Sequence, residues 1–448
     1  MKINRYMKSQ KKRMTCDVAV VGGGIAGVMA AAAAAKTGAR TVLVEASPFL
    51  GGVVTLGPLE ALMTPEDSKR TVIAGIAQEF LNFLQTLDKN AMPVKDTTGY
   101  CTSVIPYDSE VMKYALLEFL EHYSVTLLTE TILEDVILNS GNISGMRLVG
   151  KNFHMHLECS AAVDATGDAF LAYLAGNDIE IGNEKGKSQP VTVLCKMGNV
   201  DIPLLRHYVD EHPSDFKTFQ KKLDLQNERI HLWGFTGALK TGYDSGRLEL
   251  LRQEIHMMQT THNGEVILNY SRVNIDPWDP REMANALRTG TRQVRQLFTW
   301  FQESIPAFRQ AHLMQTGIVG VRESGRGVGK YTLTREDILC GRSWSDNVAM
   351  GAFPIDIHQE GNDMKFERVM AGYHIPQRCL MAKSVGNLFF AGRCISSTFE
   401  ANASCRISMT CMSTGHAAGV MAAVRSQNPE RFSYEVISDI LKEQGAIL

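Results

Sequence analysis

Residues 17–45 constrain the fold of this chain more than any other segment. They read DVAVVGGGIAGVMAAAAAAKTGARTVLVE, which is an apolar strand, a glycine turn, an alanine-rich helix and a second strand that ends on an acid. Gly22 permits a tight turn, Gly24 lets the backbone approach a phosphate, and Gly27 lets the helix pack closely on the strand. This order predicts a βαβ unit that binds a dinucleotide, with the pyrophosphate at the helix N-terminus.

The acid at the end of the second strand narrows the choice of dinucleotide. Glu45 lies about 20 residues beyond Gly24, where the dinucleotide fingerprint places a carboxylate for a ribose hydroxyl. A carboxylate there repels a 2′-phosphate, so NADP is the least expected ligand, while NAD and FAD both stay open. We expect neither a secretory signal nor a membrane span in residues 17–45, because Asp17 and three consecutive glycines interrupt the apolar run.

Length and composition set further bounds. A chain of 448 residues exceeds what a single core usually supports, which predicts two domains or one domain with a large insertion. The 46 basic and 48 acidic residues give a net charge of −2, which makes no electrostatic case for nucleic acid or anionic membranes. The nine cysteines form no CxxC pair, so we expect a cytoplasmic protein without a disulfide framework, an iron–sulfur cluster or a redox dithiol. No zinc-ligand spacing is present, and we predict no metal site.

Hydrophobic periodicity predicts the remaining elements. The predicted helices cover 71–87, 108–123 with Asp108 as its cap, 281–308 and 408–424. The predicted strands cover 125–138, 146–159, 161–165 and 387–391, the first two forming an antiparallel layer around the turn NSGN. Between 183 and 380 the composition becomes more polar and aromatic. We therefore predict an α/β fold in which a discontinuous Rossmann-like domain, 1–182 and 381–448, carries an inserted α+β substrate or cap domain, 183–380.

Two later segments join the glycine turn in one resemblance. VDATGDA at 163–169 and GNLFFAGR at 386–393, together with Gly51 and Gly52, make the chain resemble FAD-dependent oxidoreductases of the two-dinucleotide-binding superfamily. VRESGRGVGKYTLTREDILCGR, PIDIH and YHIPQRCL, which begin at 321, 354 and 373, are similar to a bacterial FAD-dependent oxidoreductase family with the glutathione-reductase-type FAD fold. The resemblance covers 17–425 and implies FAD as the cofactor.

The resemblance also implies which residues contact FAD. Gly51 and Gly52 leave room at the flavin side, and the turn at 166–168 abuts FAD through its backbone, although Asp168 is alternatively a helix cap. The helix after Gly392 directs its N–H groups at the flavin pyrimidine, where they stabilise negative charge on reduced flavin. The implied cofactor-binding residues are Gly22, Gly24, Ile25, Ala26, Gly27, Glu45, Ala46, Gly51, Gly52, Val53, Ala165, Thr166, Gly167, Asp168, Gly392, Arg393 and Arg406.

Two positions depart from the relatives. Arg393 follows the glycine after which the wider superfamily often has Asp, and it either offsets pyrophosphate charge or faces solvent or substrate. Phe399 stands where relatives in the narrower family often carry His, so proton transfer is not available at this position. Glu400, Asn402 and Arg406 are the polar groups left near this helix entrance.

Candidates for the chemistry lie in the predicted second domain. His358 is the first choice for a general base, with Asp356 on the same strand face to orient it; the alternative is a solvated or backbone-bonded histidine. Arg322 and Arg326 either point into the cleft to orient a substrate or form salt bridges with neighbouring acids. Tyr373 is either a weak acid–base group or a packing residue.

These features predict a soluble FAD-dependent oxidoreductase that transfers a hydride between a small organic substrate and flavin. Two alternatives stay open. One is a flavin reductase or modifying enzyme with an external electron donor, although GRGVGK at 325–330 lacks the strand-to-helix context of a second NAD site. The other is a flavin-binding scaffold or sensor without turnover. The sequence does not indicate the substrate, the reaction direction, covalent attachment of FAD or the oligomeric state.

Overall fold

The computed structural model describes residues 10–226, 228–250, 252–359, 364–369 and 371–448. Its α-helices are α1 Ile25–Lys36, α2 Val53–Leu56, α3 Ile76–Leu87, α4 Ser109–His122, α5 Phe170–Leu174, α6 Ile202–Glu211, α7 Thr236–Asp244, α8 Pro280–Ser304, α9 Arg335–Leu339, α10 Phe399–Cys405, α11 Ser408–Gln427 and α12 Tyr434–Glu443. Its strands are β1 Gln10–Thr15, β2 Val18–Val21, β3 Thr41–Val44, β4 Ala61–Met63, β5 Val94–Lys95, β6 Ser103–Pro106, β7 Thr126–Leu128, β8 Ile132–Asn139, β9 Asn142–Gly150, β10 Phe153–Glu158, β11 Ala161–Asp164, β12 Ile179–Ile181, β13 Thr192–Gly198, β14 Phe216–Lys217, β15 His231–Gly234, β16 Ile255–Gln259, β17 Val266–Asn269, β18 His312–Gly320, β19 Gly325–Gly327, β20 Asn347–Gly351, β21 Ile355–His358, β22 Met364–Glu367, β23 Tyr373–Pro376 and β24 Leu388–Phe390.

A five-stranded parallel sheet forms the centre of the first layer. Its order is β24-β11-β2-β3-β7, and each neighbouring pair is parallel. The strands β2, β3, β11 and β24 are buried throughout, as parallel strands covered on both faces must be. The order brings the strand at 388–390 beside strands from the first half of the chain, and the predicted α/β fold is confirmed.

The helices α1 and α11 pack together against this sheet through very small residues. The alanines at 30–34 of α1 are fully buried because a larger side chain has no room between the sheet and α11. A Cβ atom on Gly415 would lie 2.3 Å from the carbonyl oxygen of Ala26, and one on Gly419 would lie 2.2 Å from that of Ala30. Backbone-to-backbone contact of this kind excludes every side chain larger than hydrogen at the two glycines.

A six-stranded antiparallel sheet forms the second layer, with the order β14-β15-β16-β17-β13-β18. Side chains alternate between its faces, as in any strand. One face packs on α8, which buries an apolar stripe at helical spacing: Ala286, Gly290, Val294, Leu297 and Phe301. The other face carries Leu194, Trp233 and Met258 into a separate apolar cluster.

The division into two domains at 182 and 381 stays a prediction. Buried apolar residues between 193 and 311 form a core of their own under the antiparallel sheet. Residues between 333 and 380, which the prediction assigns to the inserted domain, pack instead with the core of the parallel sheet. Leu333, Met350 and Leu380 are examples of this second group.

Three predicted elements are wrong in detail. The strand predicted at 125–138 is two strands, β7 and β8, which belong to different sheets. The helix predicted at 71–87 begins at Ile76, because its N-cap Gly75 has a left-handed φ of 66° that a helix cannot continue. The strand predicted at 146–159 is two strands, β9 and β10, with a turn at Asn152, whose φ is 65°. Asparagine tolerates this conformation, so the turn had a sequence signal that the apolar pattern masked. No helix in the described ranges is both long and apolar enough to cross a membrane.

A buried histidine between α11 and the C-terminal segment gives the fold a dependence on pH. His416 is 2% exposed, and its Nε2 lies 2.8 Å from Oε1 of Gln444. Burial lowers the pKa of His416 from 6.5 to about 4. Between these two values the unfolded chain binds a proton that the folded chain does not, so stability falls as the pH drops from 6.5 towards 4.

We expect the variant His416→Gln to lack this dependence. Its free energy of unfolding in urea should fall less steeply between pH 6.5 and 4.5 than that of the wild type, because the difference builds to about 3 kcal/mol over the full range. The exposed His312→Gln is the matched control and should keep the wild-type slope. Equal slopes for all three proteins would contradict the assignment.

Candidate active site

A cavity of about 370 Å³ lies between the carboxyl ends of the parallel strands and the antiparallel sheet. Its first end is lined by the residues that follow β2, β3, β11 and β24: Gly22, Gly24, Glu45, Ala165, Thr166, Gly167, Ala391, Gly392 and Arg393. Its second end is lined by residues of the antiparallel sheet and nearby loops. The volume is in the range of small-molecule sites, and the edge where parallel strands end is where α/β proteins bind ligands.

The three glycines of the first turn have three different environments. A Cβ atom on Gly22, whose φ is 100°, would lie 2.4 Å from the carbonyl oxygen of Ala165. One on Gly27 would lie 1.8 Å from the carbonyl oxygen of Gly22, so Gly27 permits close packing and does not line the cavity. One on Gly24 would have no atom within 4 Å. Gly24 therefore faces open space at the N-terminus of α1, where a pyrophosphate fits.

The acid at the end of β3 is held against this turn. Glu45 Oε2 accepts a hydrogen bond from the backbone N–H of Gly23 at 2.5 Å, and Oε1 accepts from that of Ser47 at 2.6 Å. The Ser47 hydroxyl also donates to Oε1, so the lone pair that remains is on Oε2, and Glu45 can still accept a hydrogen bond from a ribose hydroxyl at the cavity surface. The structure places Ala46, the next residue, exposed and outside the cavity lining among the described residues.

A second glycine loop closes over the first one. Gly51 donates its N–H to the carbonyl oxygen of Gly23 at 2.8 Å, and Gly52 starts the short helix α2. Both have positive φ, 98° and 57°, which favours glycine at each position. Together with Val53 they line the cavity opposite Gly24, as the resemblance implies.

The turn after β11 is anchored by a residue that the sequence did not single out. Asp164 is fully buried, and its carboxylate accepts three hydrogen bonds. The donors are the backbone N–H of Thr166 at 3.0 Å, the hydroxyl of Thr166 at 2.7 Å and the backbone N–H of Ala172 at 2.9 Å. Asp168 does not cap the helix, since the N-cap is Ala169 and has no side-chain cap. The alternative interpretation of Asp168 as a cap is therefore wrong. Its side chain lies outside the cavity lining, 3.7 Å from Arg393.

Arg393 connects the turn after β11 to the segment that follows β18 through hydrogen bonds. Its Nη1 donates to the carbonyl oxygen of Val321 at 2.5 Å, and its Nε donates to that of Gly167 at 3.2 Å. Its side chain lines the cavity where the two layers meet. The helix α11 begins nearby: its N-cap Ile407 has no side-chain cap, and Ser408 lines the cavity, so the helix N-terminus faces that space.

A polar cluster lies at the second end of the cavity. His358 Nε2 is 2.9 Å from Asp356 Oδ2, and Arg272 Nη2 donates to His358 Nδ1 at 2.9 Å. Arg406 Nη2 donates to the carbonyl oxygen of Asp356 at 3.3 Å and lies 3.9 Å from its Oδ2. Arg322 donates to Pro190 O at 2.5 Å and to Asn269 Oδ1 at 3.3 Å. The strand alternation that put Asp356 and His358 on one face is present.

The charges of this cluster follow from burial and neighbours. Burial lowers the pKa of His358 well below its usual value, and the cations Arg322 and Arg272 lower it further against the opposing effect of Asp356. Burial alone would raise the pKa of Asp356, but His358 and Arg406 outweigh it and hold that pKa below its usual value. The cluster is therefore an ionised carboxylate among arginines, with a neutral imidazole.

Aromatic side chains line the cavity beside this cluster. Trp233 and His256 come from paired strands and stack at 4.3 Å between ring centroids, with an interplanar angle of 10°. Tyr100 lies 5.3 Å from Trp233 and 5.5 Å from Phe353. None of these four was singled out from the sequence, although Trp233 and His256 each occupy a strand position with the alternation that faces the cavity.

Two candidates from the sequence lie elsewhere among the described residues. Tyr373 is fully buried, and its hydroxyl is 2.8 Å from Ser404 Oγ, outside the cavity lining. Arg326 pairs with the buried Glu323 and donates to the carbonyl oxygens of Ser397 and Gly182. The remaining cofactor candidates, Ile25, Ala26 and Arg406, line the cavity.

The fold and the cavity define a dinucleotide-binding flavoprotein of the oxidoreductase type. Gly24 leaves room for a pyrophosphate, Glu45 for a ribose, and the α11 N-terminus for a flavin ring, so the residues fit FAD. The family described as FAD dependent oxidoreductase matches residues 17–441, and the chain belongs to this family. The predicted family and the predicted FAD cofactor are confirmed.

Individual relatives are more distant. The chain is 30% identical over 171 residues to a thiamine thiazole synthase of Aeropyrum pernix, a match that spans 37% of this chain and 59% of that protein's length. Among solved structures, a geranylgeranyl bacteriochlorophyll reductase-like protein of Thermoplasma acidophilum is similar with a TM-score of 0.48 at 14% identity, covering 96% of this chain and 83% of that one. The p-nitrophenol 4-monooxygenase of Pseudomonas putida has a TM-score of 0.48 at 14% identity, with coverages of 96% and 84%.

Proposed function

We propose that this chain transfers a hydride between a small organic substrate and FAD, with the substrate bound at the polar and aromatic end of the cavity. The observation that carries this proposal is the continuity of the cavity: one space runs from Gly24 and Glu45 to Arg322 and His358. Bound FAD supplies the ring that accepts or gives the hydride. A substrate that binds among the aromatic side chains would lie between the flavin site and the polar cluster. There it would be shielded from bulk water.

We propose separate roles for the polar residues. Arg322 lines the cavity and orients the substrate. Asp356 fixes the position of the neighbouring arginines through its charge. The sequence suggested His358 as the general base, but its Nε2–H donates to Asp356 and its Nδ1 accepts from Arg272, so neither nitrogen is free to take a proton. We therefore propose His358 as a positioning residue that links Arg272 to Asp356. Tyr373 is no longer a catalytic candidate, because its position is outside the cavity.

Anaerobic reduction of the purified holoprotein tests the proposal. The protein should be yellow, release FAD on denaturation, and lose its flavin absorbance with at least one compound in a screen of hydroxy acids, sugars and amines. Rapid bleaching by NADH or NADPH, with no effect of the organic compounds, would instead support a reductase that uses an external donor. Flavin that no compound in either set reduces would support a scaffold or sensor. A colourless protein without flavin would contradict FAD-dependent chemistry altogether.

A further inference from the structure

Positive charge exceeds negative charge at the polar end of the cavity. Arg272, Arg322 and Arg406 surround one carboxylate, Asp356, and the histidine between them is neutral. Burial lowers the pKa of each of the three guanidinium groups, which shows how little water screens them. Buried charges are normally paired, so an anion from outside the chain would complete this group.

Arg322 is the cation best placed to meet that anion. Arg272 is engaged by His358 and Asn269, and Arg406 is engaged by Asp356. Arg322 lines the cavity, and its hydrogen bonds to Pro190 and Asn269 use one N–H on each of Nη1 and Nη2. A guanidinium group has five N–H donors, so most of those on Arg322 have no acceptor among the described residues.

Polar atoms beside Arg322 also lack partners. Arg406 Nε is buried and donates no hydrogen bond within the described ranges; its side chain is 10% exposed. The indole N–H of Trp233 is also buried and has no hydrogen-bond acceptor within the described ranges. Unpaired buried polar atoms are rare in folded proteins, and these two donors belong to residues that line one cavity. They indicate a polar ligand.

The neighbours of Arg322 limit the chemistry of that ligand. Asp356 is ionised and lines the same cavity, so it would repel a dianion such as a phosphate monoester more strongly than a monoanion. Tyr100, Trp233 and Phe353 offer flat apolar surface next to the charge. The site thus combines free guanidinium N–H groups, most of them on Arg322, with aromatic walls.

We propose, building on the function proposed above, that the substrate is a small organic monocarboxylate whose carboxylate binds Arg322 and whose apolar body lies among Tyr100, Trp233 and Phe353. A planar guanidinium group matches a carboxylate with two parallel hydrogen bonds, so Arg322 sets the orientation of the substrate as well as its affinity. Neutral analogues of the same shape keep the apolar contacts and lose the charged ones.

Calorimetric titration of the oxidised holoprotein with benzoate and with benzamide tests this inference. The two probes have the same ring and nearly the same shape and differ in charge. We expect benzoate to bind at least about tenfold more tightly, and we expect the Arg322→Gln variant to lose this preference. Arg378→Gln is the matched control, because Arg378 is paired with Asp346 away from the cavity lining and should leave both affinities unchanged.

The variant Asp356→Asn provides a second, independent test of the carboxylate site. Removing its negative charge should tighten benzoate binding severalfold and leave benzamide binding as it was, provided that the flavin is retained. Equal affinities for benzoate and benzamide in the wild type would overturn the inference, and so would weaker benzoate binding in Asp356→Asn. The two proposals can fail separately. A yellow protein that only neutral compounds reduce would refute the carboxylate site, but it would still support hydride transfer to FAD.

Discussion

The substitution Gly24→Asp should weaken FAD binding strongly and leave the fold intact. A Cβ atom at position 24 meets nothing within 4 Å, and the backbone there has a φ of −63°, which any residue adopts. Position 24 is also the N-cap of α1, where aspartate is a favoured residue. The new carboxylate would lie where the pyrophosphate belongs, so we expect the affinity for FAD to fall at least about a hundredfold, or about 3 kcal/mol.

The neighbouring glycine supplies the control for this experiment. Gly27→Ala places a Cβ atom 1.8 Å from the carbonyl oxygen of Gly22, so it should impair folding itself. The two variants therefore separate binding from packing: Gly24→Asp should keep the circular dichroism and melting temperature of the apoprotein, whereas Gly27→Ala should lower both. The flavin content after reconstitution is the measurement. Normal FAD content in Gly24→Asp would show that the pyrophosphate lies elsewhere.

The substitution Asp356→Ala should lower the free energy of unfolding by about 3–5 kcal/mol at pH 7, because it leaves buried arginines without their carboxylate. Asp356→Asn should lose less, since its side-chain oxygen still accepts from His358. The pKa of Asp356 is held below its usual value, so its contribution is present at neutral pH and is lost as the pH falls through that lowered pKa.

Urea denaturation of the holoprotein at pH 7 measures these differences. A matched control is Asp346→Ala, which breaks the ion pair of a partly exposed arginine, Arg378, and should change the unfolding free energy by about 1 kcal/mol or less. If Asp356→Ala were as stable as that control, the arginines around Asp356 would have another source of compensating charge.

Local sequence patterns predicted the part of the first end that lies between β2 and the end of β3, because that part is built from local structure; Gly392, Arg393 and the turn at 165–168 were implied by the resemblance. The turn between β2 and α1 sets the positions of Gly22, Gly24 and Gly27 within a few residues, and the glycine loop at 51 follows directly. Each residue has a backbone reason to be there that is visible in the sequence. The same is true of Asp108, whose side chain caps α4 as predicted.

The second end of the cavity could be predicted only in part because it depends on long-range pairing. Trp233 faces His256 through the register of β15 on β16, and Tyr100 reaches both from a loop between β5 and β6. His358 was recognised, but Arg272 was not, and the role of the histidine changes once Arg272 occupies its Nδ1. Tyr373 was left as either an acid–base group or a packing residue, because the pattern around an X-Pro segment does not show which face is buried; it lies in the core.

Because α1 packs against α11, α1 cannot complete its packing until α11 has been synthesised. The first half of the cofactor cradle is made long before the helix α11 that packs against it; the Gln427 side chain on α11 donates to the carbonyl oxygen of Thr37, 390 residues away in sequence. Contacts of such long range form slowly. The alanine face of α1 therefore has to wait uncovered during translation, and small, weakly adhesive alanine side chains suit that interval better than large apolar ones would.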